Sequence, residues 1–329
     1  MQSSIKRLVA VFTVLLVMSV YVLKNNIRSS VVEQQFLIPE LLTYINDVDK
    51  ILLQKNNQKI HLLKKADTWR VVQANGFFAD TNKVASLLLD LRKFELKEIK
   101  TNIPEKYPKI GLSESGEQAA INIILNNSET QIANIWIGNT AQRSQGTYVR
   151  KNSETQTWLS DGNLKINFDS KDWIVSTILD VNVQNIKSVK FASIDSEAFT
   201  INKLTPQDES FQLVEKLNNT IIENNINLNK LALGLQKFTV ESVVKSIKDK
   251  KNLLVTIVYE LFSGIQYHLK IHEINGIYIT SINVVNLPQG FKYEEQLSQW
   301  DYVIPEYKFE ALNFKLSDIS NKITEIKEK

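Results

Sequence analysis

The sequence predicts an α+β protein: an N-terminal transmembrane helix, then two tandem, mainly antiparallel sheet domains, each with a packed helix. Three observations predict it. An uncharged apolar run opens the chain. Short segments alternating between apolar and polar residues dominate the remainder of the chain, broken by amphipathic helices. The order of those segments then recurs, with matching residues, in the second half.

The opening run is Leu8 to Leu23, LVAVFTVLLVMSVYVL, with Lys6 and Arg7 before it and Lys24 after it. As a helix it spans about 24 Å, which the stems of the flanking cations extend toward the roughly 30 Å hydrocarbon core. Its Leu, Val and Phe residues contribute on the order of −3 to −6 kcal/mol to insertion. A buried core helix explains the flanking cations less well. A cleaved signal peptide, with Val17-Met18-Ser19 as a small-residue site, is the stronger rival to an uncleaved anchor. Residues 1–25 are thus expected to anchor the chain and 26–46 to connect it. No later stretch is long and apolar enough to cross again, so the bulk of the chain is expected on one side, outside the cytoplasm.

The first α+β domain is expected over 47–165. Strands are expected at Lys50–Gln54, Lys59–Lys64 and Thr68–Val72. Asp80-Thr81 offers a helix cap, with Val84, Leu87, Leu88 and Leu91 on one face. Further strands are expected at Glu95–Ile99, Ala119–Leu125, Gln131–Ile137, Thr147–Lys151 and Thr155–Leu159. A connecting helix is expected over 166–184, where Phe168, Trp173, Ile174 and Ile178 suggest packing.

The second domain, 185–306, repeats the pattern: strands at Ile186–Phe191, Ala198–Leu204 and Phe211–Val214, then a helix over about Leu228–Gln236. Leu89, Leu91, Lys93 and Phe94 match Leu233, Leu235, Lys237 and Phe238 at a constant offset of 144. KIHLLK at 59–64 resembles AFTINK at 198–203, TWRVV at 68–72 resembles SFQLV at 210–214, and TYVR at 147–150 pairs with IYIT at 277–280. The ordered set argues for duplication. The tail, 307–329, spaces Leu312, Leu316, Ile319, Ile323 and Ile326 as an amphipathic helix.

Composition narrows the chemistry. The 39 basic and 36 acidic residues are interspersed, leaving a net charge of +3 and no basic face for nucleic acid. Cysteine is absent, which excludes disulfides, thiolate metal sites and a Cys nucleophile. Of the three histidines, His268 and His272 sit in a run of period two, so on a strand they lie roughly 13 Å apart and cannot share a metal. GLSESG at 111–116 lacks the order and context of a nucleophile elbow and reads as a turn. Asp47, Asp49 and Asp80 are scattered carboxylates. Trp69, Trp136 and Trp158 read as core anchors rather than stacking platforms. No catalytic, cofactor-binding or metal site is predicted, and no cofactor; the chain is read as not an enzyme.

Trp69-Arg70-Val71, the Asp80-led helix ending at Phe94, Tyr107…Gly111-Leu112, Ile137-Gly138 and Tyr148-Val149-Arg150 together resemble the bacterial domain of unknown function 4340. The second copy lacks the Gly-Leu turn and the Tyr-Val-Arg. Proteins of that kind are often encoded beside gliding-motility-type ABC transporters. The resemblance therefore implies a single-pass inner-membrane, periplasmic accessory protein of an ABC-type export or motility-like system, with a permease or other envelope protein as partner. The alternative is a periplasmic binding module for a glycan, peptide or lipid, with Trp136 or Trp158 lining a cleft.

Overall fold

The computed structural model describes residues 35–128, 130–141, 146–214, 220–221, 228–319 and 321–322. The apolar run Leu8 to Leu23 lies outside them. No helix among the described residues is long and apolar enough to cross a membrane. The fold is α+β: antiparallel sheets with a few short helices. The chain divides into two compact units. One holds the chain up to Val48, Leu53–Asn57 and Ser86–Lys165; the other holds Asp49–Leu52, Gln58–Ala85 and Ile166–Lys329.

In the first unit the strand order is Ile121–Asn127, Thr130–Thr140, Thr147–Lys151, Thr157–Ser160, Leu96–Ile99, each antiparallel to its neighbour. The last of these precedes the others in the chain, so it pairs with the strand most distant from it in sequence. Leu37, Ile38 and Leu41 are buried, and Leu37 N–H donates to the Phe94 carbonyl at 2.8 Å. Phe94 fills the space beneath Gly162, where an added Cβ would meet its ring at 2.3 Å.

In the second unit eight strands run in the order Gln212–Leu213, Phe199–Asn202, Ile186–Ser193, Leu253–Leu261, Gln266–Ile274, Ile277–Val285, Trp300–Ile304, Ser242–Lys245. The last five of these repeat, strand for strand, the order of the first unit. Residues Val255, Ile257, Tyr259 and Leu261 are buried alternately along their strand, the period-two signature of a sheet with one face on the core. Asn275 and Gly276, at φ 54° and 77°, make the tight turn between Ile274 and Ile277, whose twist matches the strands it joins. From the loop between Ser242–Lys245 and Leu253–Leu261, the Lys250 ammonium pairs with the Asp301 carboxylate at 2.8 Å, with Asp301 fully buried. The second unit also holds the antiparallel strands Gln58–Lys65, Thr68–Val71 and Phe77–Phe78.

The helix Thr81–Arg92 forms where the apolar spacing predicts it. Val84, Leu87, Leu88 and Leu91 are buried, and the Asp80 carboxylate accepts the Asn82 N–H at 3.0 Å. The helix expected over about Leu228–Gln236 is shorter, Asn229–Ala232 continued by a 3-10 turn, Leu233–Leu235.

Two expected helices are not helices. Residues 166–184 form 3-10 turns at Ser170–Asp172 and Val183–Asn185 around a short strand, Thr177–Leu179. Asp169 and Asn182 accept the N–H two residues on, and β-branched Ile174, Val175, Thr177 and Ile178 favour extended backbone. The packing part of that reading stands, since Trp173, Ile174 and Ile178 are buried. The described part of 307–329 holds the end of a short helix, Glu306–Glu310, a 3-10 turn at Leu316–Asp318 and a two-residue strand, Asn321–Lys322, paired with Thr220–Ile221, rather than one continuous helix. Asp318 takes the Lys315 N–H at 2.8 Å and starts a fresh turn, while Leu312, Leu316 and Ile319 are buried without helical continuity.

Candidate functional site around Arg150

Register in the first unit aligns one residue from each of four strands. Asn122 pairs with Trp136, Trp136 with Arg150, and Arg150 with Thr157. Three of the four are buried polar residues: Asn122, Arg150 and Thr157. Each finds a partner, as buried polar groups must. Asn122 Nδ2 donates to Asn134 Oδ1 at 2.8 Å and to the Ile135 carbonyl at 3.0 Å. Thr157 Oγ1 donates to the Thr101 carbonyl at 2.7 Å and accepts the Thr101 N–H at 2.9 Å.

Arg150 is the charged member. Its guanidinium carbon lies 5.1 Å from the Tyr107 ring centre and 5.6 Å from that of Trp136. Nη1 donates to the Glu154 carbonyl at 3.2 Å, and Nη2 pairs with Glu114 at 3.3 Å. The Glu114 side chain is 69% exposed, so this is the pair's one contact facing water. Nε is buried with no partner among the described residues.

The 3-10 turn Pro104–Ile110 brings Tyr107 over this row, and the Tyr107 hydroxyl donates to the Thr155 carbonyl at 2.5 Å. Gly138 permits the approach. A Cβ there would stand 2.6 Å from the Ile110 carbonyl and 2.9 Å from Leu112. Gly111, at φ +69°, ends the turn and lets Leu112 bury. The motif residues Tyr107, Gly111-Leu112, Gly138 and Arg150 thus meet in one place.

Residues 69–255, more than half of the chain, match the family model for Domain of unknown function (DUF4340). The chain belongs to the DUF4340 family. No curated protein and no solved structure matches it.

In the second unit of this DUF4340 chain the row at the same place in the strand order is Val255, Ile271, Thr280 and Tyr302. All four are buried, and only Thr280 and Tyr302 carry polar atoms. Among the described residues the charged row therefore belongs to the first unit. An arginine stacked between aromatic rings supplies fixed charge and orientation, not proton transfer.

A second arginine, Arg70 of the Trp-Arg-Val strand, lies with its guanidinium carbon 3.8 Å from the Phe78 ring centre and 5.8 Å from that of Trp300. Its Nη2 donates to Gln296 Oε1 at 2.8 Å. Phe77 meets Trp300 and Tyr302 edge to face. Burial, then the charge of Glu294, pushes the nearby Tyr293 hydroxyl up to about 12.

The other residues singled out by sequence stay apart. His268 Nε2 lies 3.1 Å from Gln266 Oε1, and His272, buried on the same strand, donates from Nδ1 to the Lys251 carbonyl at 3.0 Å. Among the described residues no group of three or more His, Asp or Glu is arranged to hold a metal. Ser113 lies in the loop after Gly111, bridged to Ala119. Trp69 is buried, whereas Trp136 and Trp158 are half-buried. The Trp136 Nε1 donates to Asn152 at 2.8 Å, which takes its polar edge as Arg150 takes a face. Sequence reasoning missed Asn122 and Thr157. Their signal, a polar residue inside an apolar strand, is visible only once register places them beside Arg150.

Proposed function

We propose that this DUF4340 chain is a non-enzymatic accessory protein of an ABC-type envelope export or gliding-motility-like system. The segment Leu8 to Leu23 anchors it in the inner membrane, and two sheet domains derived from one duplicated ancestor stand in the periplasm. A permease or other envelope protein is the partner. The observation that supports this most is where the family motif goes. Tyr107, Gly138 and Arg150 are spent on contacts within the chain. A signature used to hold a scaffold together suits a protein that works through its surface rather than through a reacting side chain.

The full-length protein, tagged at its C-terminus and extracted in mild detergent, is expected to co-purify with ABC permease subunits. Elution alone under those conditions sinks the proposal. A C-terminal reporter active only outside the cytoplasm is expected to be active; an inactive one reverses the orientation.

The second reading, a periplasmic ligand-binding module, gains little from Trp136, whose face and Nε1 are already engaged.

A further inference from the structure

The chain enters the first unit along the outer side of the strand Leu96–Ile99. Leu37 N–H donates to the Phe94 carbonyl, Phe36 bridges Glu95, and Leu96 N–H donates to the Gln35 carbonyl at 2.7 Å. That pairing is antiparallel, so the backbone of 35–37, followed toward the N-terminus, runs in the direction of Ile99. The apolar run ends at Leu23, and 11 residues separate it from Gln35. Fully extended they reach at most about 40 Å. A unit of roughly 100 residues is itself about 30–35 Å across. Whatever holds Leu8 to Leu23 therefore stays close to this edge of the unit.

Two large aliphatic side chains stand in the open here. Ile99 is 60% exposed and Ile103 42%. Ile99 ends the strand, and Ile103 precedes the 3-10 turn Pro104–Ile110. Lysines surround them: Lys97 and Lys100 lie on either side of Ile99 in the chain, and Lys106 and Lys109 are exposed on the turn. Their charge is balanced rather than concentrated. Lys97 pairs with Glu95 at 2.7 Å and Asp161 at 3.4 Å, and Lys100 pairs with Glu98 at 2.7 Å. Aliphatic side chains set among long cationic ones suit the boundary between acyl chains and headgroups, where lysine stems lie along apolar surface and lift their charge into water. With carboxylates so close, attraction to anionic headgroups adds little, and aliphatic contact carries the association. A short tether makes modest contact sufficient, because it holds the face at an effective concentration in the millimolar range.

We propose that Ile99 and Ile103 dip into the lipid interface and hold the first unit against the bilayer by its edge strand. The partner is the lipid surface itself, zwitterionic as readily as anionic. This rests on the reading of Leu8 to Leu23 as a membrane anchor.

The absence of cysteine allows single-site labelling of the full-length protein. Ile99→Cys, Ile103→Cys, Val14→Cys and Asn127→Cys, each carrying an environment-sensitive fluorophore, are reconstituted into phosphatidylcholine vesicles and quenched by spin-labelled lipid. Asn127 ends the exposed far strand of the row, four strands from Leu96–Ile99 and about 19 Å across the sheet. Labels at 99 and 103 should lose at least about half their emission to a quencher near the headgroups, as for burial of about 5–10 Å, and the label at 127 should keep its emission. Replacing part of the lipid with phosphatidylglycerol should alter the quenching by less than about twofold. If the label at 14 is quenched while those at 99 and 103 are not, the proposal falls and the anchor stands. If the label at 14 also escapes quenching, the anchor falls with it. Quenching that requires phosphatidylglycerol, or that is equal at 127, overturns the proposal as well.

Discussion

Replacing Arg150 with alanine removes the one charge that ties four strands of the first unit to the turn above them. The two ring contacts contribute about 1 kcal/mol each. The charged hydrogen bond to the Glu154 carbonyl adds about 1.5–3 kcal/mol. Two buried methylenes add about 0.8 kcal/mol apiece. Glu114, mostly exposed, contributes about 0.5 kcal/mol at most. Against these stands the relief of the unpartnered Nε, about 1–2 kcal/mol. The net loss is about 3–6 kcal/mol, near the upper end for a single substitution. Amide hydrogen exchange by mass spectrometry reads this locally, without requiring the whole chain to unfold in one step. Peptides covering Thr147–Lys151 and Thr157–Ser160 should lose protection by about two to four powers of ten, at about 1.4 kcal/mol per tenfold. Arg150→Lys keeps the charge but not the planar fork, and should lose roughly 1–3 kcal/mol. If the Arg150→Ala amides exchange within tenfold of the parent, the guanidinium does not hold this row together.

Other contacts give outcomes of the same kind. Gly138→Ala should destabilise the first unit by about 1–3 kcal/mol, because its Cβ meets a backbone carbonyl that cannot turn aside; thermal unfolding checks it. Asp301→Asn leaves Lys250 buried and unpaired and should cost about 3–5 kcal/mol in urea unfolding, whereas replacing both with apolar residues recovers most of the loss. Burial, then the charge of Lys50, holds His61 below its ordinary value. Protonation therefore favours the unfolded chain, and the His61 contribution is complete above pH 6.5 and lost as pH falls through the folded value. His61→Gln should flatten that part of the stability profile, and the His61 ring signals in NMR should titrate below pH 6.5.

Much of the local structure was legible because it depends on neighbours in sequence. Asp80 followed by Val84, Leu87, Leu88 and Leu91 specifies a capped amphipathic helix in any context. Five strands run in the same order in each unit, and the offset between Phe94 and Phe238 places one residue just before the closing strand in both. The strand Leu253–Leu261 went unread although its alternation is regular, because Lys250, Lys251 and Asn252 before it resemble a loop. In 166–184 and 307–329 apolar residues recur at helical intervals, but Asp169, Asn182 and Asp318 cap short turns that interrupt any helix. Burial was predictable there and conformation was not. The Arg150 row could not be read from spacing, because it needs register across four strands.

The pairing of Leu96–Ile99 with Thr157–Ser160 has a consequence in time. As the chain is synthesised, this strand emerges well before its partner and must wait roughly 3–12 s at ordinary elongation rates, its edge open. The second unit imposes the same delay, since Ser242–Lys245 pairs with Trp300–Ile304. The alternating charges of Lys97, Glu98 and Lys100 beside the first of these strands keep a waiting edge from recruiting the wrong neighbour.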